Sequence, residues 1–340
     1  MLLPMRTRAA VLREIGRPAP YANSRPLSIE EFELDPPGEG EVLVRVRAAG
    51  LNRGELIAGH GLHAPGGGAK PVGGEAAGEV VEVGDGVVGY VPGDRVFGRC
   101  PGAFAEYALM DLREAMLVPA CLDFRQASAI PLTFLVVYDM LVLQGELRAG
   151  QTLLVAGVTS GVGVAALQAA KAMGARVIGT SGSAEKLARL QPLGLDVPLR
   201  TREPGFEAAV LEATGGRGAD LAICAVGGSV FAACMRSLAF EGRLAMVGYV
   251  DGQLSTTLDL ERLHLQRLTV FGVSNKLRTP AQRASAVRAF CADWLPLYAS
   301  GRLRSWVDRV FPFEQLAEAK DCMEAGGHLG KIVLAGAADG

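Results

Sequence analysis

Ser160, Gly161, Val162 and Gly163 stand where a short apolar strand, Thr152–Ala156, hands over to a helix that carries apolar residues through Met173 to a stop at Gly174. A helix N-terminus just after a strand turns unpaired backbone N–H groups and the positive end of the helix dipole toward a phosphate. Glycines there tighten the turn and let a pyrophosphate approach the backbone. The spacing departs from the common G-x-G-x-x-G, because Val158 occupies the first glycine position. The same strand–turn–helix also serves as a tight connection that binds nothing.

A second apolar strand follows at 176–180, and the acidic residue expected about twenty positions after the turn is missing. The chain reads Gly179-Thr180-Ser181-Gly182-Ser183, with no carboxylate to accept a ribose 2′-hydroxyl. Ser183 is the expected cap of the next helix, and Lys186 sits one turn into it. Hydroxyls, a helix N-terminus and a lysine suit a 2′-phosphate better than a bare diol, which favours NADPH over NADH. Arg200 and Arg202 add charge at the end of the next strand, whereas Glu185 argues the other way.

These elements need a scaffold that the length and composition permit. The chain has 340 residues, 49% of them hydrophobic, with a formal net charge of −2 and 44 glycines. That describes a turn-rich globular protein with no basic excess for nucleic acid. No apolar run reaches the roughly 18 residues of a membrane span, and the first residues lack the apolar core of a secretory signal. Six scattered cysteines without a C-x-x-C pair indicate reduced thiols and a cytoplasmic setting. Residues 1–126 read as short strands with turns (41–49, 79–83, 94–98), an antiparallel mostly-β domain. Residues 127–275 alternate strands (152–156, 176–180, 221–225, 243–249, 268–273) with helices, the pattern of a doubly wound parallel sheet in an α/β protein. Residues 276–340 give a helix from Pro280, a strand near 306–310, a helix from Glu314 and a last strand, 331–335, expected to return to the first domain.

The order of blocks along the chain resembles the medium-chain dehydrogenase/reductase superfamily, in its zinc-free quinone oxidoreductase (zeta-crystallin-like) branch. The likeness runs through EVLVRVRAAGLNRGEL (41–56), GGEAAGEVVEVGDGV (73–87), VPGDRVFG (91–98), GAFAEYALM (102–110), AIPLTFLVVYDML (129–141), SGVGVAALQAAKAMGARVIGTSGSAEKL (160–187) and GGHLGKIVL (326–334). The resemblance implies a GroES-like domain beside a Rossmann domain, NADPH, and hydride transfer in the cleft between the two. It places Asn52 beside the nicotinamide, where its NH₂ can donate to a developing enolate or phenolate oxygen; the alternative is a loop amide that holds its own backbone. Thr133 corresponds to a residue near the nicotinamide ribose, or else is a helix N-terminal hydroxyl. Gly248 and Tyr249 bring backbone groups to the carboxamide, with the Tyr249 ring as cleft wall.

Zinc members need three protein ligands with one open position. Their first cysteine falls at Asn52 and their histidine at Gly74, which leaves no ligand set. His60 and His63, three apart, sit in a glycine-rich loop and read as polar loop residues. Two further departures matter. The N-P-x-D-x-Y of many quinone reductases is here Asn52-Arg53-Gly54-Glu55-Leu56-Ile57, so the tyrosine is an isoleucine. The tyrosine that stacks near the adenosine 2′-phosphate falls at Thr201, which shifts weight to Lys186 and Arg200. The proton then comes from solvent or from a histidine of the 59–68 loop.

The expected function is an NADPH-dependent, metal-independent reductase of a small quinone or α,β-unsaturated carbonyl. The alternatives are an enoyl-thioester reductase, for which Ile57 lines an acyl pocket, and an NADPH-binding protein without turnover. The apolar strand 268–273 is either an exposed edge that pairs with its twin in a homodimer or a buried central strand. The loop 58–70 is expected to close over the site.

Overall fold

The computed structural model describes residues 5–12, 27–56 and 70–336. The chain divides into two compact units. One comprises residues 1–132, 279–299 and 305–340, the other 133–278 and 300–304.

The second unit is built on six parallel strands in the order Val197–Arg200, Arg176–Ser181, Thr152–Ala156, Ala219–Cys224, Leu238–Met246, Thr269–Gly272. Sequence order reverses direction between Thr152–Ala156 and Ala219–Cys224, the switch point at which such sheets bind ligands. All five residues of Thr152–Ala156 are buried, as a strand covered on both faces requires. Helices Gly161–Ala172, Ala184–Leu190, Glu207–Ala213 and Gly228–Arg236 connect the strands. Among the described residues Thr269–Gly272 pairs only with Leu238–Met246, at the edge of the sheet; Val270 is 39% exposed.

The first unit is mostly β. Its larger sheet runs Val307–Pro312, Lys331–Ala335, Glu41–Gly50, Glu75–Val83, Arg95–Arg99, Ala115–Leu117, with Tyr107–Asp111 also paired to Glu41–Gly50. The final strand Lys331–Ala335 lies antiparallel to Glu41–Gly50, with Leu334 opposite Ala49. A core of Val42, Val44, Val46, Val96, Phe104 and Met110 fills the sheet. All six cysteines are free thiols, and Cys100, Cys224 and Cys234 are buried. Among the described residues no helix is long and apolar enough to cross a membrane.

Candidate active site

The strand Glu41–Gly50 delivers Leu51 and Asn52 to the short helix Arg53–Leu56. There Asn52 Nδ2 donates to Glu75 Oε1 at 2.8 Å and to Glu55 Oε1 at 3.2 Å. Lys331 Nζ, from the last strand, donates to Glu75 Oε1 at 2.6 Å, to Asn52 Oδ1 at 2.9 Å and to the Leu51 carbonyl at 2.9 Å. The second Glu75 oxygen accepts the Leu132 N–H at 2.7 Å. Glu75 and Lys331 are 0% and 5% exposed. A charge pair that deep persists because every polar atom has a partner: the ammonium fills three acceptors and both carboxylate oxygens accept. The network also fixes the Asn52 amide, with its oxygen on the ammonium and both N–H groups on carboxyls. Of the two bonds the amide donates, the one to Glu55 is the longer.

Glu55 is the second carboxyl of this cluster. Burial, and then the neighbouring Glu75 charge, push its pKa from 4.5 up to about 8, against the opposing pull of Lys331 and Asn52. Its side chain occupies space left by Gly74, since a Cβ at position 74 would collide with Glu55 Oε1. The linkage has a definite sign. Below about pH 4.5 the carboxyl is neutral whether folded or not; between about 4.5 and 8 only the unfolded chain releases the proton. The stability due to Glu55 is therefore present at acid pH and declines up to about pH 8. Urea unfolding across that window is expected to show a downward slope in the wild type that flattens in Glu55→Gln.

The donor set does not fit Zn²⁺. Asn52 and Gly74 stand at two ligand positions, and the Lys331 ammonium already bonds Asn52 and Glu75 at the place a cation would need. Among the described residues no group of three or more His, Cys, Asp or Glu is placed to hold a metal. Ile57, His60, His63 and the loop 58–70, save its last residue, lie outside the described residues.

In the second unit, a cavity of about 230 Å³ opens at the carboxyl ends of Thr152–Ala156 and Arg176–Ser181, lined by Gly157, Thr159, Ser181, Gly182, Thr201 and Arg202 among others. Ser160 caps the helix Gly161–Ala172: its Oγ accepts from Gly163 N at 3.0 Å and donates to Gly157 O at 2.9 Å. Gly163 is a packing glycine, because a Cβ there would strike the Gly157 carbonyl. Gly161 and Val162 form the first helical turn beside it. Ser181 Oγ lies 3.2 Å from Thr159 Oγ1, and Ser183 caps the helix Ala184–Leu190 by accepting from Lys186 N at 3.2 Å. The glycines and hydroxyls that line this mouth fit a dinucleotide.

Of the expected cofactor residues, Ser181 and Gly182 line the cavity, whereas Thr133, Ser160, Gly161, Val162, Gly163, Ser183, Lys186, Arg200, Gly248 and Tyr249 do not. Thr133 is buried in the helix Pro131–Tyr138. Gly248 and Tyr249 follow the strand Leu238–Met246, with the Tyr249 carbonyl accepting from Gly252 N at 3.0 Å. Arg200 alternates outward from Leu199, which is partly buried against the core, and is exposed. Arg202, two residues on, turns back across Gly182, whose missing Cβ makes room for the Arg202 side chain. Glu203 lines the same cavity. Arg202, like Arg200, adds charge at the end of the strand Val197–Arg200, and its position just beyond the strand end brings it to the cavity.

Residues 38–120 match the alcohol dehydrogenase GroES-like domain family and residues 161–288 the zinc-binding dehydrogenase family. The chain is similar to the Streptomyces orinoci spectinabilin polyketide synthase system protein NorB, 34% identical over 303 residues, 88% of this chain but 13% of that protein. It is likewise 31% identical to a phenolphthiocerol/phthiocerol polyketide synthase polypeptide of Mycobacterium tuberculosis over 96% of this chain and 15% of that one. The chain thus spans about a seventh of the curated relatives it matches. Among solved structures it is similar to a Pseudomonas syringae quinone oxidoreductase (26% identity, TM-score 0.85, 97% and 99% of the two chains). A mycobacterial protein complexed with NADPH matches at 27% and 0.85 over 97% and 99%. An NAD-dependent alcohol dehydrogenase matches at 31% and 0.82 over 96% and 99%. The fold and site define an oxidoreductase with a GroES-like unit and a Rossmann unit. The chain belongs to the medium-chain dehydrogenase/reductase superfamily, in its quinone-oxidoreductase-like branch.

Proposed function

We propose that this chain is an NADPH-dependent, metal-independent reductase of quinones or α,β-unsaturated carbonyls. The observation that carries it is the Asn52–Glu55–Glu75–Lys331 network: hydrogen-bond donors held in place where a zinc enzyme would hold its metal. A bound nicotinamide dinucleotide supplies the hydride. Asn52 donates an N–H to the substrate oxygen as negative charge grows on it, and the buried Lys331 and Glu75 keep that amide from rotating. An acceptor that is already electrophilic needs no Lewis acid, which favours quinones and enones over alcohols.

Ser181, Gly182 and Arg202 receive the adenosine end, with the Arg202 guanidinium on the 2′-phosphate and Lys186 in support. Glu203 on the same cavity favours a 2′-hydroxyl, and the two residues oppose each other in cofactor choice. Arg202→Ala is expected to weaken NADPH binding about tenfold or more, the worth of one charge-assisted bond, and to leave NADH nearly unchanged. Fluorescence titration with both cofactors measures it; equal loss for both would remove Arg202 from phosphate recognition.

The polyketide synthase relatives favour a second reading, reduction of an enoyl thioester. A panel of quinones, enones and crotonyl-CoA separates the two by relative kcat/KM. The edge strand Thr269–Gly272 and the exposed Leu260 and Leu265 nearby in sequence, 68% and 60% exposed, suit pairing with a second copy. Val270→Lys should shift a dimer to monomer by light scattering if that edge is the interface. The free thiols favour a reducing, cytoplasmic setting.

A further inference from the structure

Within the Asn52 cluster one polar atom is left over. Glu55 Oε1 accepts from Asn52, but Glu55 Oε2 is shielded from solvent and has no hydrogen-bond partner among the described residues. By contrast both oxygens of Glu75 and all three N–H groups of Lys331 are used. A buried carboxyl oxygen left alone costs about 1–3 kcal/mol, and sites that tolerate such a cost are commonly those whose partner is a ligand.

We propose that Glu55 is the general acid of the reduction, its Oε2 carrying the proton delivered to the substrate; this rests on the reductase function proposed above. The charged groups facing Glu55 make that state reasonable. Glu75, on the strand Glu75–Val83, stands on the same Asn52 amide and repels a second negative charge, and Lys331 is already committed to Glu75 at 2.6 Å. On its own helix the Arg53 guanidinium donates to the Met323 carbonyl at 2.6 Å instead of reaching Glu55. Gly74 makes room for the glutamate side chain itself, since a Cβ at that position would strike Glu55 Oε1.

The step balances. The substrate β-carbon gains a hydride from the reduced nicotinamide dinucleotide, forming a C–H bond, and the double-bond pair moves toward the carbonyl oxygen, held by Asn52. The Glu55 O–H bond then breaks, its proton passes to the substrate anion, and a carboxylate remains. For a quinone the same hydride and proton give the hydroquinone. Once product leaves, the Asn52 N–H that held the substrate oxygen returns to Glu55 Oε1, 3.2 Å away, and steadies the carboxylate until solvent restores its proton.

Two measurements on the full chain test it. The first needs no cofactor: infrared spectra across pH 6–10 (about 8 being the expected midpoint) should show a protonated-carboxyl stretch that titrates away and is missing in Glu55→Gln. The second is turnover. Glu55→Gln, which keeps the shape and the Asn52 bond, should lose about 10²-fold or more in kcat, keep its cofactor KM, and lose the alkaline fall of the kcat–pH profile. Glu55→Asp, still an acid but shorter, should fall between. A Glu55→Gln enzyme within about threefold of wild type and with an unchanged pH profile overturns the proposal, as does the lack of a protonated carboxyl at neutral pH. A wild type that shows the band but reduces no member of the panel contradicts the reductase function itself, and the acid role goes with it while the protonated Glu55 stands.

Discussion

Lys331→Met is expected to destabilise the protein by about 3–5 kcal/mol, the cost of stranding a buried charge, read as a lowered urea midpoint. Glu75 is 0% exposed and sits on three donors, of which Lys331 is the only charged one. Methionine keeps the apolar stem but leaves a carboxylate with no countercharge. It also strips Asn52 Oδ1 and the Leu51 carbonyl of their donor. Lys331→Met combined with Glu75→Gln should recover part of the loss, because the second change removes the stranded charge. A single variant as stable as wild type would mean that the ion pair contributes nothing to folding.

The largest effect on chemistry is expected from Asn52→Ala. Loss of one donor to a developing oxyanion typically costs about 10²–10³ in kcat, and the cofactor's dissociation constant should hardly move. The alanine also leaves Lys331 with two acceptors, Glu75 and Leu51, so the fold survives better than in Lys331→Met. Equal losses in kcat and in cofactor affinity would assign Asn52 to positioning instead of transition-state stabilisation.

How much of this was legible beforehand differs from residue to residue. The parallel sheet was, because a buried strand, a glycine turn and an amphipathic helix are local patterns that repeat along 152–224, and the capping role of Ser183 follows from the same local rules. That 269–272 is an edge strand was not, since an apolar run reads the same at the edge and the centre of a sheet. That Arg202 borders the cavity was not legible either, because period-two alternation stops at the end of the strand Val197–Arg200, where the Arg202 side chain crosses Gly182. The polar network was the least visible. Lys331 reads as the polar start of an apolar strand, and nothing local shows that it lands on Glu75, 256 residues away. Glu55 likewise gains its raised pKa from burial and from the Glu75 charge, against the pull of Lys331, and only the fold brings these to it.

The most direct test is oxidation of NADPH by the purified protein after dialysis against a chelator, with a quinone and an enone as acceptors and NADH as the control cofactor. Steady NADPH consumption that depends on the acceptor, exceeds that of NADH and is indifferent to chelation is the predicted result. No consumption with any acceptor, or activity lost on chelation and restored by Zn²⁺, would contradict a metal-independent reductase.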